Sequence, residues 1–242
     1  MQSSRFGKKS VSDLVVITGA TGGIGRCIAR QLHDQGLVPV IGHREQKASE
    51  ARAIADSCGG LPVILDMNDP ASINHGVEML LDDGRPVAGV VFAASPPPVI
   101  APFGKMTAAD HSQFWMANVV GPHFLLAGLI RHCFRPRKAG SAVALLTKAM
   151  GDASSGSDIP HVMSGMGTYT VSKFGLLGVI AQAKAEFPWL RVSAVKPGFT
   201  ETEMLKVFDD RFLDQLRRQQ EFSKPEDVAA EVIERLALNK SK

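Results

Sequence analysis

The chain carries a single tyrosine, Tyr169, and Lys173 stands four residues after it. Residues at i and i+4 share one face of a helix, so the phenol and the ammonium would be neighbours. A free phenol ionises near ~10, too high for easy proton exchange at neutral pH. A nearby ammonium favours the phenolate, and a phenol tuned in this way is a general acid or base. Lowering its pKa by ~3 units corresponds to about 4 kcal/mol of differential interaction. Several hydroxyls lie upstream that could work beside it. Thr147 closes a strand-like run, and Ser154, Ser155 and Ser157 lie in the Gly/Ser-rich stretch that follows.

A second constellation is ITGATGGIGRCIARQL (17–32), where Gly19, Gly23 and Gly25 lie between an apolar strand and a helix. Such glycines permit a tight turn, close backbone approach to a pyrophosphate, and helix–strand packing. The N–H groups and positive end of the helix then favour a diphosphate. The second strand ends in Gly42-His43-Arg44. A site that prefers NAD usually has a carboxylate there for the ribose 2′-hydroxyl, whereas an arginine suits a 2′-phosphate. The expected cofactor is therefore NADP(H) rather than NAD(H).

The elements that must position these groups alternate. Apolar runs at 14–19, 37–42, 61–66, 87–94, 142–147 and 191–197 read as strands. Amphipathic segments near 23–35, 45–57, 70–82, 107–133 and 166–187 read as helices. The runs are nearly continuous rather than alternating, as expected when helices cover both faces of a sheet. Strand–helix alternation predicts right-handed crossovers and an α/β, doubly wound parallel sheet. No linker, charge run or repeat divides the chain, so residues 1–242 are expected to form one domain, with 1–11 a flexible tail. The Pro-rich SPPPVIAPFG (95–104) follows a strand, where such sheets place ligand loops.

Composition excludes some classes. The 242 residues are 45% hydrophobic and 21% charged, with a formal net charge of +3, ordinary values for a globular protein. Dispersed basic residues argue against nucleic acid as a partner. The three cysteines form no C-x-x-C pair, and the seven histidines show no metal-binding spacing. MQSSRFGKKS lacks the apolar run of a signal peptide, and no stretch reads as a membrane span. The expectation is a soluble, reduced, cytoplasmic protein.

Six ordered segments resemble the short-chain dehydrogenase/reductase (SDR) family, whose members have a Rossmann fold. They are TGATGGIG (18–25), LDMND (65–69), FAAS (92–95), ANVVGPHF (117–124), YTVSK (169–173) and KPGFTETEM (196–204). The resemblance implies that Tyr169 donates a proton to a ketone oxygen as the nicotinamide delivers hydride, or the reverse. Lys173 would lower the phenol pKa and hold the ribose, and Asn118 would anchor a water chain feeding protons to Lys173. Thr147 falls where the family has its catalytic Ser, which polarises the carbonyl. Thr21 and Ile24, in the glycine turn, and His43 and Arg44 would also bind the cofactor. Asp66 and Met67 would meet the adenine. Ala93 and Ala94 would let the backbone approach, while Pro197, Gly198, Thr200 and Thr202 would cradle the nicotinamide end ahead of a mobile lid.

Three departures from that pattern stand out. Phe92-Ala93-Ala94-Ser95 replaces the usual Asn-Asn-Ala-Gly. Twenty-two positions separate Thr147 from Tyr169, more than is usual, so 152–166 should loop out as an enlarged wall of the substrate pocket. Thr147 is preferred to Ser154, Ser155 or Ser157 because rigid elements hold geometry better than loops. Lys148, one residue on, should face away if the strand continues. Finally, the chain stops where the family adds a seventh strand, which predicts six strands and a homodimer through the long helices rather than a tetramer. The implied reaction is NADP(H)-linked reduction of a ketone or 3-oxoacyl carbonyl, or the reverse oxidation. A small molecule or a thioester would bear the carbonyl, with an acyl carrier protein as a candidate partner at Arg135, Arg137 and Lys138. The alternatives are a dinucleotide-binding protein without turnover and a redox-neutral dehydratase, cyclase or isomerase.

Overall fold

The structure, a computed structural model, describes residues 12–152 and 158–238. The expected tail at 1–11 and the loop serines Ser154, Ser155 and Ser157 lie outside the described residues. Six strands, β1 (Leu14–Thr18), β2 (Val38–His43), β3 (Leu61–Ile64), β4 (Val87–Phe92), β5 (Ser141–Leu145) and β6 (Arg191–Val195), form one sheet. All pairings are parallel, in the order β3-β2-β1-β4-β5-β6. Strand order reverses between β1 and β4, and the crevice at that switch point is where such sheets bind ligands.

Both faces of the sheet are covered. Helices α1 (Gly23–Asp34), α2 (Ala48–Cys58), α3 (Pro70–Asp83), α4 (Ala108–Trp115), α5 (Gly121–Leu129), α6 (Gly167–Glu186), α7 (Asp210–Gln219) and α8 (Pro225–Leu236) follow the strands in chain order. Leu14 and Val16 point into a core shared with α3, α5 and α6. Val15 and Ile17 point into the other, shared with α1, α2 and α8. This two-sided burial is why the strands read as unbroken apolar runs. Local chemistry sets the helix ends: Asp69 accepts from the Ala71 N–H at 2.9 Å with Pro70 opening α3, and Thr107 and Asp110 form a capping box on α4.

The segment expected as one helix over 107–133 is a helical run that reaches Arg137, with π turns at Met116–Val120 and Ile130–Phe134. Contrary to the sequence expectation, this 30-residue run is long and apolar enough to cross a membrane by length and composition. More than half of its apolar window is buried in the fold, as in a core helix. After β6, residues read from sequence only as a lid form a 3-10 turn (Glu203–Val207) and α7. Rings of Phe199, Phe208, Phe212 and Phe222 pack together there, with centroids 5.4–6.2 Å apart.

Candidate active site

A cavity of about 880 Å³ opens along the carboxyl ends of the strands. Every site residue expected from sequence within the described chain lines it, except Asn118, which lies just beneath. The turn after β1 forms one end. Gly19 has φ +66°, and a Cβ there would sit 2.7 Å from the Ala94 Cα. A Cβ on Gly25 would lie 2.4 Å from the Gly19 carbonyl oxygen, and one on Gly23 would lie 2.7 Å from the Thr202 Cγ2. The three glycines thus serve the turn, the packing of α1 on β1, and the gap between the N-terminus of α1 and the 200–204 segment. The Thr18 hydroxyl accepts from the N–H groups of Ala93 and Ala94 at 3.1 and 3.2 Å. It ties β1 to the small-residue end of β4.

At the other end, α6 brings Tyr169 and Lys173 onto the buried stripe that continues through Leu176 and Ile180. The Tyr169 ring packs edge-on against Phe114 at 6.3 Å between centroids. Thr147 ends the run after β5, where its hydroxyl accepts from the Ala149 N–H at 3.1 Å and lies close enough to the Tyr169 phenol to favour its ionised form. The Lys173 Nζ lies 5.6 Å from the Tyr169 ring centroid and donates to the Leu145 carbonyl at 2.8 Å. Burial pushes the phenol up to about 12, opposed by the nearby Thr147 hydroxyl. Burial also pulls the Lys173 ammonium down to about 8. In the protein alone, burial rather than Lys173 sets the direction for the phenol. Both groups are desolvated, and the ammonium spends a bond on a backbone carbonyl rather than on the phenol.

Asn118 sits in the first π turn, a local widening of the helix often found at functional sites. Its Nδ2 donates to Ser172 Oγ at 2.8 Å and to Ser95 Oγ at 3.1 Å. Ser172 Oγ donates in turn to the Tyr169 carbonyl at 2.8 Å. The Asn118 Oδ1 is buried with no partner among the described residues. Sequence reasoning missed the parts played by Ser95 and Ser172. Their signal was their place inside FAAS and YTVSK, where the substituted fourth position and the residue before the lysine supply two hydroxyls to one amide.

The enlarged loop is partly described, and it does form a wall. Met163 N–H donates to the Ala149 carbonyl at 2.8 Å, and a Cβ on Gly151 would lie 2.1 Å from the His161 carbonyl oxygen. These contacts pin His161, Val162 and Met163 to the cavity margin. Lys148 differs from expectation. The strand ends at Leu145, and a 3-10 turn (Lys148–Met150) follows, so Lys148 lines the cavity instead of facing away. The basic patch is also partly spent: Arg137 reaches Asp13 at 3.5 Å and the Val87 carbonyl at 3.3 Å, and Arg135 lies over the Phe187 ring.

A family model described as short chain dehydrogenase matches residues 13–211. The chain belongs to that family. This short-chain dehydrogenase is 26% identical over 225 residues to an acetoacetyl-CoA reductase of Synechocystis sp., covering 89% of this chain and 85% of the relative. It is 30% identical to the human mitochondrial dehydrogenase/reductase SDR family member 2, covering 86% of this chain and 73% of that protein. Among solved structures, an alcohol dehydrogenase from Thermococcus sibiricus complexed with 5-hydroxy-NADP superposes with a TM-score of 0.77 at 19% identity, over 96% of this chain and 93% of the other. At that identity the likeness shows the fold. The family match and the reductases among the relatives make the protein an NAD(P)(H)-type oxidoreductase.

The residues present fit a dinucleotide. The first-turn N–H groups of α1 have no partner within the helix and face a gap that a side chain at Gly23 would close. At the β2 end, the Arg44 side chain makes no hydrogen bond or ion pair among the described residues, whereas Arg26 and Lys47 are both drawn to Glu50 at 2.6 and 2.8 Å. Asp66 and Met67 line the same end, where Gly121 allows the helix to approach the Met67 carbonyl.

Proposed function

We propose that this single-domain short-chain dehydrogenase uses NADP(H) to reduce a ketone or 3-oxoacyl carbonyl to an alcohol, or catalyses the reverse, with Tyr169 as general acid and base. The observation that carries the reading is the buried Tyr169 phenol at the cavity floor, with the Thr147 hydroxyl and the Lys173 ammonium beside it. The bound cofactor supplies or accepts the hydride. The phenol carries its proton at pH 7 and can give it to the carbonyl oxygen in the direction of reduction, with the Lys173 ammonium and the charge of the oxidised nicotinamide offsetting the burial that opposes the phenolate. The Thr147 hydroxyl, fixed by the Ala149 N–H, orients that oxygen and donates to it. Lys173, brought to about 8, titrates close enough to neutrality to return a proton to the phenol, and the orphan Oδ1 of Asn118 is an acceptor on that path.

Arg44, uncommitted at the end of β2, supports the preference for a 2′-phosphate. Exposed Trp115, Phe124, Val171 and Phe174, on the helical run and on α6, support a homodimer through these helices. We place the enzyme in the cytoplasm, acting on a small-molecule or thioester-bound carbonyl. The test is NADPH and NADH oxidation across a panel of ketones and 3-oxoacyl thioesters, with Tyr169→Phe as control. The variant should lose turnover by at least 10³-fold, a factor worth about 4 kcal/mol, while binding NADPH as before. NADPH binding with no turnover on any carbonyl would overturn the reading.

A further inference from the structure

Charge at the reacting end of the cavity is unbalanced. Its charged lining is Lys148, Lys173 and Glu203, with His161 beside them. Glu203 is ion-paired with Lys206. Just outside, Lys196 is held by Asp152 at 2.8 Å and Arg217 by Glu201 at 3.3 Å. Lys173 is buried under Tyr169 and committed to the Leu145 carbonyl. Lys148 alone of these cations is exposed to the cavity with its ammonium bonded to no group of the described chain.

Its placement is built rather than incidental. The residue before it, Thr147, caps the turn through the Ala149 N–H at 3.1 Å. Its own N–H donates to the Pro197 carbonyl at 2.8 Å, and its carbonyl accepts from the Gly151 N–H at 2.9 Å. A Cβ on Gly198 would lie in ordinary contact, 3.4 Å from the Lys148 Cδ, which places the stem along the 197–198 backbone. The backbone that fixes the Thr147 hydroxyl therefore also fixes the root of the lysine, one residue away. A flexible stem with three donors can reach an anion beside the carbonyl that Thr147 and Tyr169 would hold.

We infer that Lys148 is a specificity residue that recognises an anionic group, a carboxylate or phosphate, on the carbonyl substrate. This rests on the reductase reading of the same site and narrows its substrate class to small anionic oxo compounds. A field that is positive at the reacting end, with its neighbouring carboxylates already paired, draws such substrates in and rewards the charged form over its neutral ester. Lys148 takes no part in the hydride or proton transfer, so its contribution should fall on KM rather than kcat.

The test compares a 3-oxo acid with its methyl ester, and a phosphorylated ketone with the unphosphorylated ketone, in wild type, Lys148→Gln and Lys148→Arg. A charge-assisted bond corresponds to roughly a 10- to 100-fold effect. Lys148→Gln should therefore raise KM for the preferred anionic substrate about 10- to 100-fold, and at least tenfold more than for its neutral partner. Lys148→Arg should retain most of the preference, and added salt should raise KM for the anion only. Whichever pair shows the effect identifies the anion as carboxylate or phosphate. Equal loss on both members of a pair, or a change confined to the KM for NADPH, overturns the inference. Malonate and inorganic phosphate give a readout independent of turnover: one of them should protect wild type in the presence of NADPH from thermal unfolding, with protection weakened at least tenfold in Lys148→Gln. Absence of any Lys148-dependent anion binding defeats the proposal even if neutral ketones are reduced. Such binding without turnover sustains it while defeating the reductase reading.

Discussion

Lys173 is held at a cost, and replacing it should reveal how large that cost is. Its ammonium is fully enclosed and its pKa is drawn from 10.5 to about 8 by burial. That difference corresponds to about 3.4 kcal/mol against the folded state at neutral pH, where the unfolded chain carries the same charge in water. Methionine fills similar space without charge but abandons the bond to the Leu145 carbonyl, which costs about 1–3 kcal/mol. Lys173→Met should therefore be more stable than wild type at pH 7 by about 0.4–2.4 kcal/mol, or roughly 1–10 °C in Tm. The pH dependence is the sharper signature. A group whose folded pKa is depressed contributes stability that is present above its unfolded value and lost as pH falls through the folded value. Wild type should thus gain on the variant as pH rises from about 8 toward 10.5. Between pH 7 and 10 the difference should move by about 2.5 kcal/mol in favour of wild type. Staying below pH 10 keeps clear of Tyr169, whose raised pKa lowers stability only as pH climbs from 10.0 to about 12 and does so in both proteins. Urea denaturation at several pH values measures the difference directly. A gap that does not change with pH, or a variant less stable at pH 7 by as much as at pH 10, would refute the idea that desolvation of the ammonium dominates. The variant should meanwhile lose nearly all turnover, the trade of stability for function common at sites that hold uncomfortable charges.

Other outcomes follow from the same geometry. Thr147→Val keeps the shape but removes the hydroxyl bonded by the Ala149 N–H and placed beside Tyr169, so kcat should fall about 10²–10³-fold in steady-state assays with the circular dichroism unchanged. Arg44→Asp should raise KM for NADPH about 10- to 100-fold and lower it for NADH, measured as the ratio of the two constants. Gly19→Ala, at φ +66° and 2.7 Å from the Ala94 backbone, should lower stability by about 1–3 kcal/mol in denaturant titration. Multi-angle light scattering should give a dimer mass, and Phe174→Glu on the exposed face of α6 should shift it toward monomer; a tetramer would contradict the proposed association.

Much of this protein could be read along the chain because the governing interactions are local or periodic. Apolar runs of strand length, separated by helical periods, specify a sheet buried on both faces, and the cores divided by Leu14 and Val15 meet that expectation. Gly19, Gly23 and Gly25 announced a turn that needs absent side chains, and the i, i+4 spacing set Tyr169 beside Lys173 on one helix face. The segment after β6 was legible only as a stretch of chain. Its ring cluster joins Phe199 to Phe222 across a chain reversal, which no local period encodes.

What packing alone decided is where charges and dipoles lie in relation to water. Sequence set an ammonium next to a phenol and so suggested a lowered phenol pKa. The fold enclosed both groups and gave the ammonium a carbonyl partner, so burial dominates the phenol in the protein alone. Likewise, Ser95, Asn118 and Ser172 are remote in sequence, and only the π turn and the pairing of helix with strand end bring them into bonding distance. Lys148 would face away from the site in a longer strand; the early turn at 148–150 delivers it to the cavity. Residue type and spacing determine which groups a chain offers to chemistry. Burial and direction, which depend on contacts between distant segments, determine their charge and what they can reach.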